Sequence, residues 1–98
     1  MPLKGAQRKM LRSLAHPLKP VVLVGARGLT EQLIGTVESA LNDHELIKVK
    51  FGEFKEEKKH LAEQIATATH GELIGIIGHI AIVYRPHPDP EKRKIHLP

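Results

Sequence analysis

The spacing of hydrophobic residues alternates along the chain between that of a helix and that of a strand. In three segments the apolar residues recur every three or four positions, which predicts helices over 3–15, 30–41 and 54–68. Four shorter runs are rich in β-branched residues and predict strands at 20–24, 46–51, 73–77 and 80–84. The predicted order of elements is therefore αβαβαββ.

The first helix is predicted to have an apolar face and a basic face. Its apolar stripe contains Leu3, Ala6, Met10 and Leu14. Three basic residues fall within roughly 80° of one another on a different arc, namely Lys4, Arg8 and Arg12. We therefore expect the stripe to enter the core and the basic face to point into solvent.

The predicted strands differ in their surroundings. The run 20–24 is apolar on both faces, as expected of a central or covered strand. In the next run Lys48 and Lys50 alternate with apolar residues, so one face of that strand should be wet. The last two runs flank the turn Gly78-His79 and predict a hairpin.

Short polar residues and glycines predict where the second and third helices begin and end. Thr30 is a natural N-cap for the second helix, and Asn42 and Asp43 are expected to stop it. Gly71 is expected to terminate the third helix.

The stretch 86–98 is predicted to lie outside the folded core. Prolines at 86, 88 and 90 oppose regular structure, and the basic tail Lys92-Arg93-Lys94 is expected to stay mobile until a partner binds it. The chain is too short for a core plus a separate catalytic domain. Residues 1–98 are therefore predicted to form a single domain, with 86–98 as a proline-rich linker and basic tail.

Composition narrows the class of protein. The 98 residues include no cysteine, which excludes disulfides and thiolate metal sites. No apolar run approaches the roughly 20 residues of a membrane helix, and the first residues do not form a signal peptide. We therefore expect a soluble cytoplasmic protein without a membrane partner.

Positive charge is concentrated at the start of the chain. The net charge is only +4, but residues up to 30 include six basic and no acidic side chains, whereas the rest of the chain has nine basic and eleven acidic ones. Such a distribution is typical of a protein that binds a polyanion. It favours an RNA contact for the basic helix face over an ordinary solvated face.

The turn between the first strand and the second helix carries candidate chemistry. Gly25-Ala26-Arg27-Gly28 precedes the helix that Thr30 caps, and a helix start offers unpaired N–H groups and a partial positive charge. Glycines let a phosphate backbone approach, and the KH domain clamps nucleotides with a GXXG loop in this way. Two glycines at this spacing also occur in plain tight turns.

The chain resembles the CRM domain in its stand-alone bacterial form, known as YhbY. Six stretches carry the resemblance, in order along the chain: 11–20, 22–31, 44–50, 77–79, 83–86 and 93–98. The resemblance implies an α/β domain of the two-layer α+β kind, similar to the C-terminal domain of a bacterial translation initiation factor. It implies a mixed four-stranded sheet in the order 1-2-4-3.

The same resemblance implies a function. In that family the GXXG loop and the adjoining basic surface contact RNA, stand-alone members associate with precursors of the large ribosomal subunit, and multi-domain plant members assist group II intron splicing. The ribosomal RNA of precursor large subunits is therefore the expected partner, with assistance to ribosome assembly as the function. The expected RNA-binding residues are Lys4, Arg8, Arg12, Lys19, Gly25, Ala26, Arg27, Gly28 and Thr30.

Other classes of function have less support in the sequence. Motifs for nucleotide hydrolysis or a serine nucleophile are absent, so we expect no enzyme, no cofactor and no small-molecule substrate. The seven histidines show no metal-ligand spacing, so we expect no metal. A protein-protein adaptor that binds ribosomal proteins, or an RNA chaperone of the intron-splicing type, stays an alternative. We expect a monomer that recognises RNA by shape and backbone rather than by base stacking.

Overall fold

A computed structural model describes residues 3–98 and confirms the predicted order of helices and strands. Within that range the elements are α1 (Gly5–Ala15), β1 (Val22–Val24), α2 (Glu31–His44), β2 (Leu46–Phe51), α3 (Lys58–Ala68), β3 (Glu72–Ile77), β4 (Ile80–Tyr84) and a short 3-10 helix (Pro90–Lys92). The last of these departs from the expectation that the prolines exclude regular structure, since Pro90 occupies the first position of the turn, where a proline needs no N–H.

The four strands form one mixed sheet in the order β1-β2-β4-β3, as predicted. β1 runs parallel to β2, with Val22 beside Val49, and the other two pairs are antiparallel. β1 is an edge strand whose Leu23 is exposed, so the prediction of a central or covered strand is wrong. Only the face carrying Val22 and Val24 is covered, because α1 does not reach the other face of β1.

Helices pack on both faces of the sheet. α2 and α3 cover one face, where the larger core contains Val24, Val37, Val49, Phe51 and Ile65. α1 covers part of the opposite face, where its Leu11 and Ala15 meet Leu46, Ile74, Ile82 and Tyr84. The mixed α/β fold class is confirmed, but the arrangement has three layers where two were expected, because α1 lies apart from α2 and α3.

The buried face of α1 differs from the predicted stripe. Leu3 of the predicted stripe packs against the core, but Ala6 and Leu14 are exposed and Met10 is half-buried, whereas Leu11 and Ala15 are fully buried. The four-residue spacing of Leu11 and Ala15 matches the helical period as well as the predicted stripe does. The helix therefore has two possible apolar stripes, and the strands beneath it determine which one enters the core. Periodicity alone could not distinguish them.

The ends of α2 agree with the prediction at the start and differ at the stop. Thr30 is the N-cap, and its Oγ1 accepts a hydrogen bond of 3.0 Å from the Leu33 N–H. The helix continues through Asn42 and Asp43 to His44, beyond the predicted stop. It ends at Glu45, whose φ of 63° is the left-handed conformation that breaks helical bonding.

α3 begins later than predicted, and its last helical residue is Ala68, as predicted. It begins at Lys58, and Phe54 lies in the preceding connection. At its end the left-handed residue is His70, with φ of 57°, while the Gly71 N–H donates to the Ala66 oxygen at 2.8 Å. Gly71 is closely packed, because a Cβ there would lie 3.2 Å from the Val83 side chain and 3.3 Å from the Tyr84 oxygen.

The segment 86–98 is docked on the domain, so the prediction of a mobile tail is wrong. The carboxylate of Glu45 accepts hydrogen bonds from the backbone N–H groups of His87 at 2.7 Å, Lys94 at 2.6 Å and Ile95 at 2.9 Å. Ile95 also packs against the α1 side of the core. The Gln7 side-chain amide donates to the Pro98 oxygen at 2.8 Å, so the tail ends beside the start of α1.

The environment of Glu45 determines its charge. Its side chain is 1% exposed, and burial alone would raise its pKa. Hydrogen bonds from His87, Ile95 and Lys94 together outweigh burial, so the pKa of Glu45 is lowered from its ordinary value. The ionised carboxylate is therefore the form that holds the tail.

Candidate nucleic-acid interface

The loop 25–28 is a tight turn at the end of β1. The Gly28 N–H donates a hydrogen bond of 3.0 Å to the Gly25 oxygen, and Ala26 and Arg27 are exposed at the tip. Gly28 has a φ of +66°, and a Cβ there would lie 3.3 Å from the ring of Phe54. The backbone and the neighbouring ring therefore both require glycine at 28.

Gly25 is different, because the protein itself leaves room for a side chain there. No heavy atom of residues 3–98 outside its chain neighbours lies within 4 Å of the position that a Cβ at Gly25 would take, and its φ lies outside the left-handed region. The folded chain does not require glycine at this position. The open space above Gly25 suits the close approach of a ligand backbone.

The start of α2 lies directly after this loop. The N–H of Leu33 is capped by Thr30, and the first helical bond runs from the Ile34 N–H to the Thr30 oxygen at 3.0 Å. The first-turn N–H groups of Glu31 and Gln32 precede that bond and point out of the helix end, where the helix dipole favours an anion. The carboxylate of Glu31 opposes an anion at this end, so neighbouring cations must contribute to any phosphate site.

Three lysine side chains at the same end of the sheet can supply this positive charge. We call Lys50, Lys55, Lys58 and His79 the basic cluster. The Lys58 ammonium lies 3.3 Å from His79 Nδ1 and donates to the Gly78 oxygen. The pKa of His79 is lowered from its ordinary value by loss of hydration and by repulsion from Lys58, Lys55 and Lys50. The contacts of Lys58 place its ammonium at the hairpin turn, and Lys55 and Lys50 lie near enough to disfavour a charged His79.

Backbone hydrogen bonds join the loop to the basic cluster. The Gly52 N–H donates to the Val24 oxygen at 3.1 Å, and the Phe51 N–H donates to the His79 oxygen at 2.8 Å. These bonds hold together the last residue of β1, the end of β2 and the hairpin turn at one end of the sheet. Three exposed carboxylates lie in the connection before α3, those of Glu53, Glu56 and Glu57, and their formal charge equals that of the three lysines.

Most of this cluster was not identified from the sequence. Lys50 stood out as a polar position in a strand, but Lys55, Lys58 and His79 come from two further segments of the chain. Lys58 and His79 are 21 residues apart and meet only because β3 and β4 return the hairpin turn to the start of α3. The sequence carried no local signal for that meeting.

The basic face predicted for α1 is only partly in solvent. The Arg8 guanidinium donates to the Leu73 oxygen of β3 and lies 4.0 Å from the Glu72 carboxylate. Arg8 therefore holds α1 against the sheet, and the expectation of a fully exposed basic face is wrong at this residue. Lys4 and Arg12 are exposed.

The remaining expected residues lie in separate places. Lys19 lines a hollow at the start of β1 together with His44 and Lys94, at the opposite end of that strand from the loop. Arg12 lies over Gly75 on the α1 side of the sheet. The structure therefore brings together the loop residues and Thr30, but it does not place Lys4 or Lys19 beside them.

Arg8 and Arg12 should respond differently to truncation. We expect Arg8→Ala to lower the free energy of unfolding by about 1–2 kcal/mol, because it leaves the Leu73 oxygen without its charged donor. Arg12→Ala should change it by less than about 0.5 kcal/mol, since its side chain is exposed. Urea denaturation of both variants measures the difference, and equal losses would contradict a structural role for Arg8.

Two further observations concern other kinds of site. In the part of the chain from 3 to 98, no three histidine, aspartate or glutamate side chains are grouped so that they could hold a metal ion. None of the helices described there is both long and apolar enough to cross a membrane.

Comparison with known proteins gives relatives along nearly the whole chain. The profile of the CRS1 / YhbY (CRM) domain matches residues 3–85. A Pseudomonas aeruginosa protein named a probable RNA-binding protein is 41% identical over 93 residues, which are 94% of this chain and 89% of that protein. A Haemophilus influenzae protein named an RNA-binding protein is 44% identical over 97 residues, which are 98% of this chain and 95% of that protein.

The fold also has an experimentally solved counterpart. A solution structure of a hypothetical protein from Staphylococcus aureus, described as a candidate RNA-binding protein, superposes with a TM-score of 0.80. It is 37% identical in sequence, and the alignment covers 99% of this chain and 100% of that chain. Sequence and fold therefore agree over the full length of the domain.

Proposed function

The chain belongs to the CRS1 / YhbY (CRM) domain family, and we propose that it binds structured RNA through the loop 25–28, the start of α2 and the basic cluster. The relatives from Pseudomonas aeruginosa and Haemophilus influenzae are named as RNA-binding proteins. Their similarity along nearly the whole chain supports the same ligand class here. The function is therefore binding, with no catalytic step and no cofactor.

One observation supports the loop as the main contact. The space that a Cβ at Gly25 would take is open, and Gly25 belongs to the same loop as the exposed Arg27, shortly before the start of α2. A phosphate in that space would accept hydrogen bonds from first-turn N–H groups and from the Arg27 guanidinium. The lysines of the basic cluster would neutralise neighbouring phosphates of the same RNA strand.

The distribution of aromatic residues supports recognition of the RNA backbone and shape. Of the three aromatic side chains in the sequence, those of Phe51 and Tyr84 are buried. The ring of Phe54 is partly exposed but lies against Gly28 under the loop. At most one ring, that of Phe54, is available to a base, so a series of bases cannot stack on the protein and contacts with phosphates and ribose should dominate.

Within structured RNA, we propose the ribosomal RNA of precursor large subunits as the partner. The support is the resemblance to stand-alone CRM proteins, together with the small size and basic start of this chain. In this role the protein binds as a monomer in the cytoplasm, occupies an unfinished RNA surface during assembly and leaves when that surface closes.

Co-sedimentation tests this assignment. In a sucrose gradient of cell extract at about 50 mM salt, we expect the protein to migrate with precursors of the large subunit. We expect its apparent affinity to fall by about tenfold or more by roughly 200 mM salt, because bound phosphates release counterions. Migration with mature small subunits alone would contradict the ribosomal assignment, and binding unaffected by salt would contradict an electrostatic contact with RNA.

A further inference from the structure

α1 covers only part of its face of the sheet. It packs over Leu46, Ile74, Ile82 and Tyr84, toward the end where β2 begins and β4 ends. At the other end, one row of cross-strand neighbours on the same face extends beyond the helix. Strand pairing sets its order as Leu23, Lys50, Ile80 and Ile77. We call these four residues the open row.

The open row presents aliphatic side chains to solvent. Leu23 is 60% exposed and Ile77 is 61% exposed, and they occupy the two edge strands. Ile80 is half-buried between Lys50 and Ile77. Exposed apolar residues that are scattered singly are ordinary, but here they line up across the whole width of a sheet.

Basic groups lie beside the uncovered area and within it. On the α1 side, Arg12 lines a hollow of about 220 Å³ together with Ile77 and Ile80. Within the row, Lys50 also belongs to the basic cluster, which backbone hydrogen bonds join to the loop. The surface from Arg12 across the open row to the loop is therefore continuous.

We propose that the RNA bound at the loop continues across the open row toward Arg12. This inference rests on the proposed function and adds a second contact to it. Phosphates of the RNA bind Arg12 and Lys50, while the ribose rings and base edges between those phosphates cover Leu23, Ile80 and Ile77. The open row thus contributes apolar burial, which does not depend on salt.

The position of Lys50 favours RNA over a protein as the occupant. Charged residues are depleted at the centre of protein interfaces, where a buried ammonium would lose hydration without a partner. Lys50 lies in the middle of the open row, with Leu23 on one side and Ile80 on the other. A polyanion that presents alternating phosphates and sugars satisfies both kinds of side chain.

The test compares two matched double variants in binding to a transcript of large-subunit ribosomal RNA over a range of salt. The first is Leu23→Thr with Ile77→Thr, since threonine suits a strand and removes apolar surface without adding charge. The control is Leu18→Thr with Val21→Thr. These residues are 39% and 50% exposed and line the hollow near Lys19, at the far end of β1 from the loop.

We expect the first double variant to bind about fivefold or more weakly, with an unchanged slope of log affinity against log salt. The control should bind like the wild type. Lys50→Ala should instead reduce the magnitude of that slope by about one. Circular dichroism and urea denaturation establish that all variants are folded.

Each other outcome has a definite meaning. Wild-type affinity in Leu23→Thr/Ile77→Thr, alongside weak binding by a loop variant, would overturn the inference and leave the proposed function standing. Weaker association with ribosomal particles but unchanged binding to the bare transcript would make the open row a protein contact, which also overturns it. If the wild-type protein does not bind the transcript, the proposed function itself fails.

Discussion

Gly25→Asp is expected to weaken RNA binding by about tenfold or more while leaving the domain folded. The carboxylate would occupy the open space above the loop, where it repels a phosphate and replaces its contacts with the N–H groups at the start of α2. A charge-assisted contact contributes roughly 1.5–3 kcal/mol, which sets the expected size of the effect. Fluorescence anisotropy with a labelled RNA measures it.

Gly25→Asn is the matched control, because asparagine has nearly the shape of aspartate without its charge. We expect it to bind more tightly than Gly25→Asp, and equal affinities would assign the loss to bulk alone. Gly28→Asp is a poorer probe, since φ of +66° and the Phe54 ring make any side chain at 28 strained. A folded Gly25→Asp protein with wild-type affinity would contradict the phosphate contact at the loop.

Arg27 should contribute less than the space above Gly25. Its side chain is exposed at the tip of the loop, so its truncation leaves no buried partner unpaired. We expect Arg27→Ala to weaken binding by roughly 1 kcal/mol, or about fivefold, measured on the same RNA.

Glu45→Ala is expected to lower the free energy of unfolding by about 3 kcal/mol. It removes the charged acceptor of three backbone N–H groups, those of His87, Lys94 and Ile95, and so releases the tail from the domain. For a domain of this size the thermal midpoint should fall by roughly 12 °C or more. Urea denaturation and thermal melting measure the two quantities.

Glu45→Gln should lower the free energy of unfolding by less than Glu45→Ala does. The glutamine amide oxygen can still accept a hydrogen bond, but its NH₂ group faces another donor. Glu72→Gln is the matched control, since the Glu72 carboxylate is partly exposed and 4.0 Å from Arg8, and it should cost less than about 0.5 kcal/mol. Equal losses for Glu45 and Glu72 variants would contradict the role of Glu45 in holding the tail.

The stability from Glu45 should depend on pH in one direction. Because the folded pKa is lowered below the unfolded value, the contribution is fully present above the ordinary glutamate pKa. It is lost as pH falls through the folded pKa. In Glu45→Gln this part of the acid dependence should disappear.

Features set by local physics could be predicted from the sequence. Thr30 could be predicted as the cap of α2 because the hydrogen bond involves only the N–H three residues later in the chain. The hairpin around Gly78 and the alternation of β2 are equally local. The position of the loop between β1 and α2 followed from these elements.

Features set by contacts between distant residues could not be predicted in this way. Arg8 had no acidic partner near it in sequence, yet β3 supplies both Glu72 and a backbone oxygen 65 residues away. The tail looked unstructured because its acceptor, Glu45, lies at the end of α2. The basic cluster required the same kind of long-range information, since three segments converge at one end of the sheet.

The contact between Gln7 and Pro98 has a practical consequence for labelling. It brings the two ends of the described chain together beside Glu72 and Tyr84, whereas the loop and hairpin turn lie at the opposite end of the sheet. A fluorophore, an affinity handle or a surface tether attached before Leu3 or after Pro98 would therefore stand away from the loop. Immobilised protein should keep its loop accessible from either attachment point.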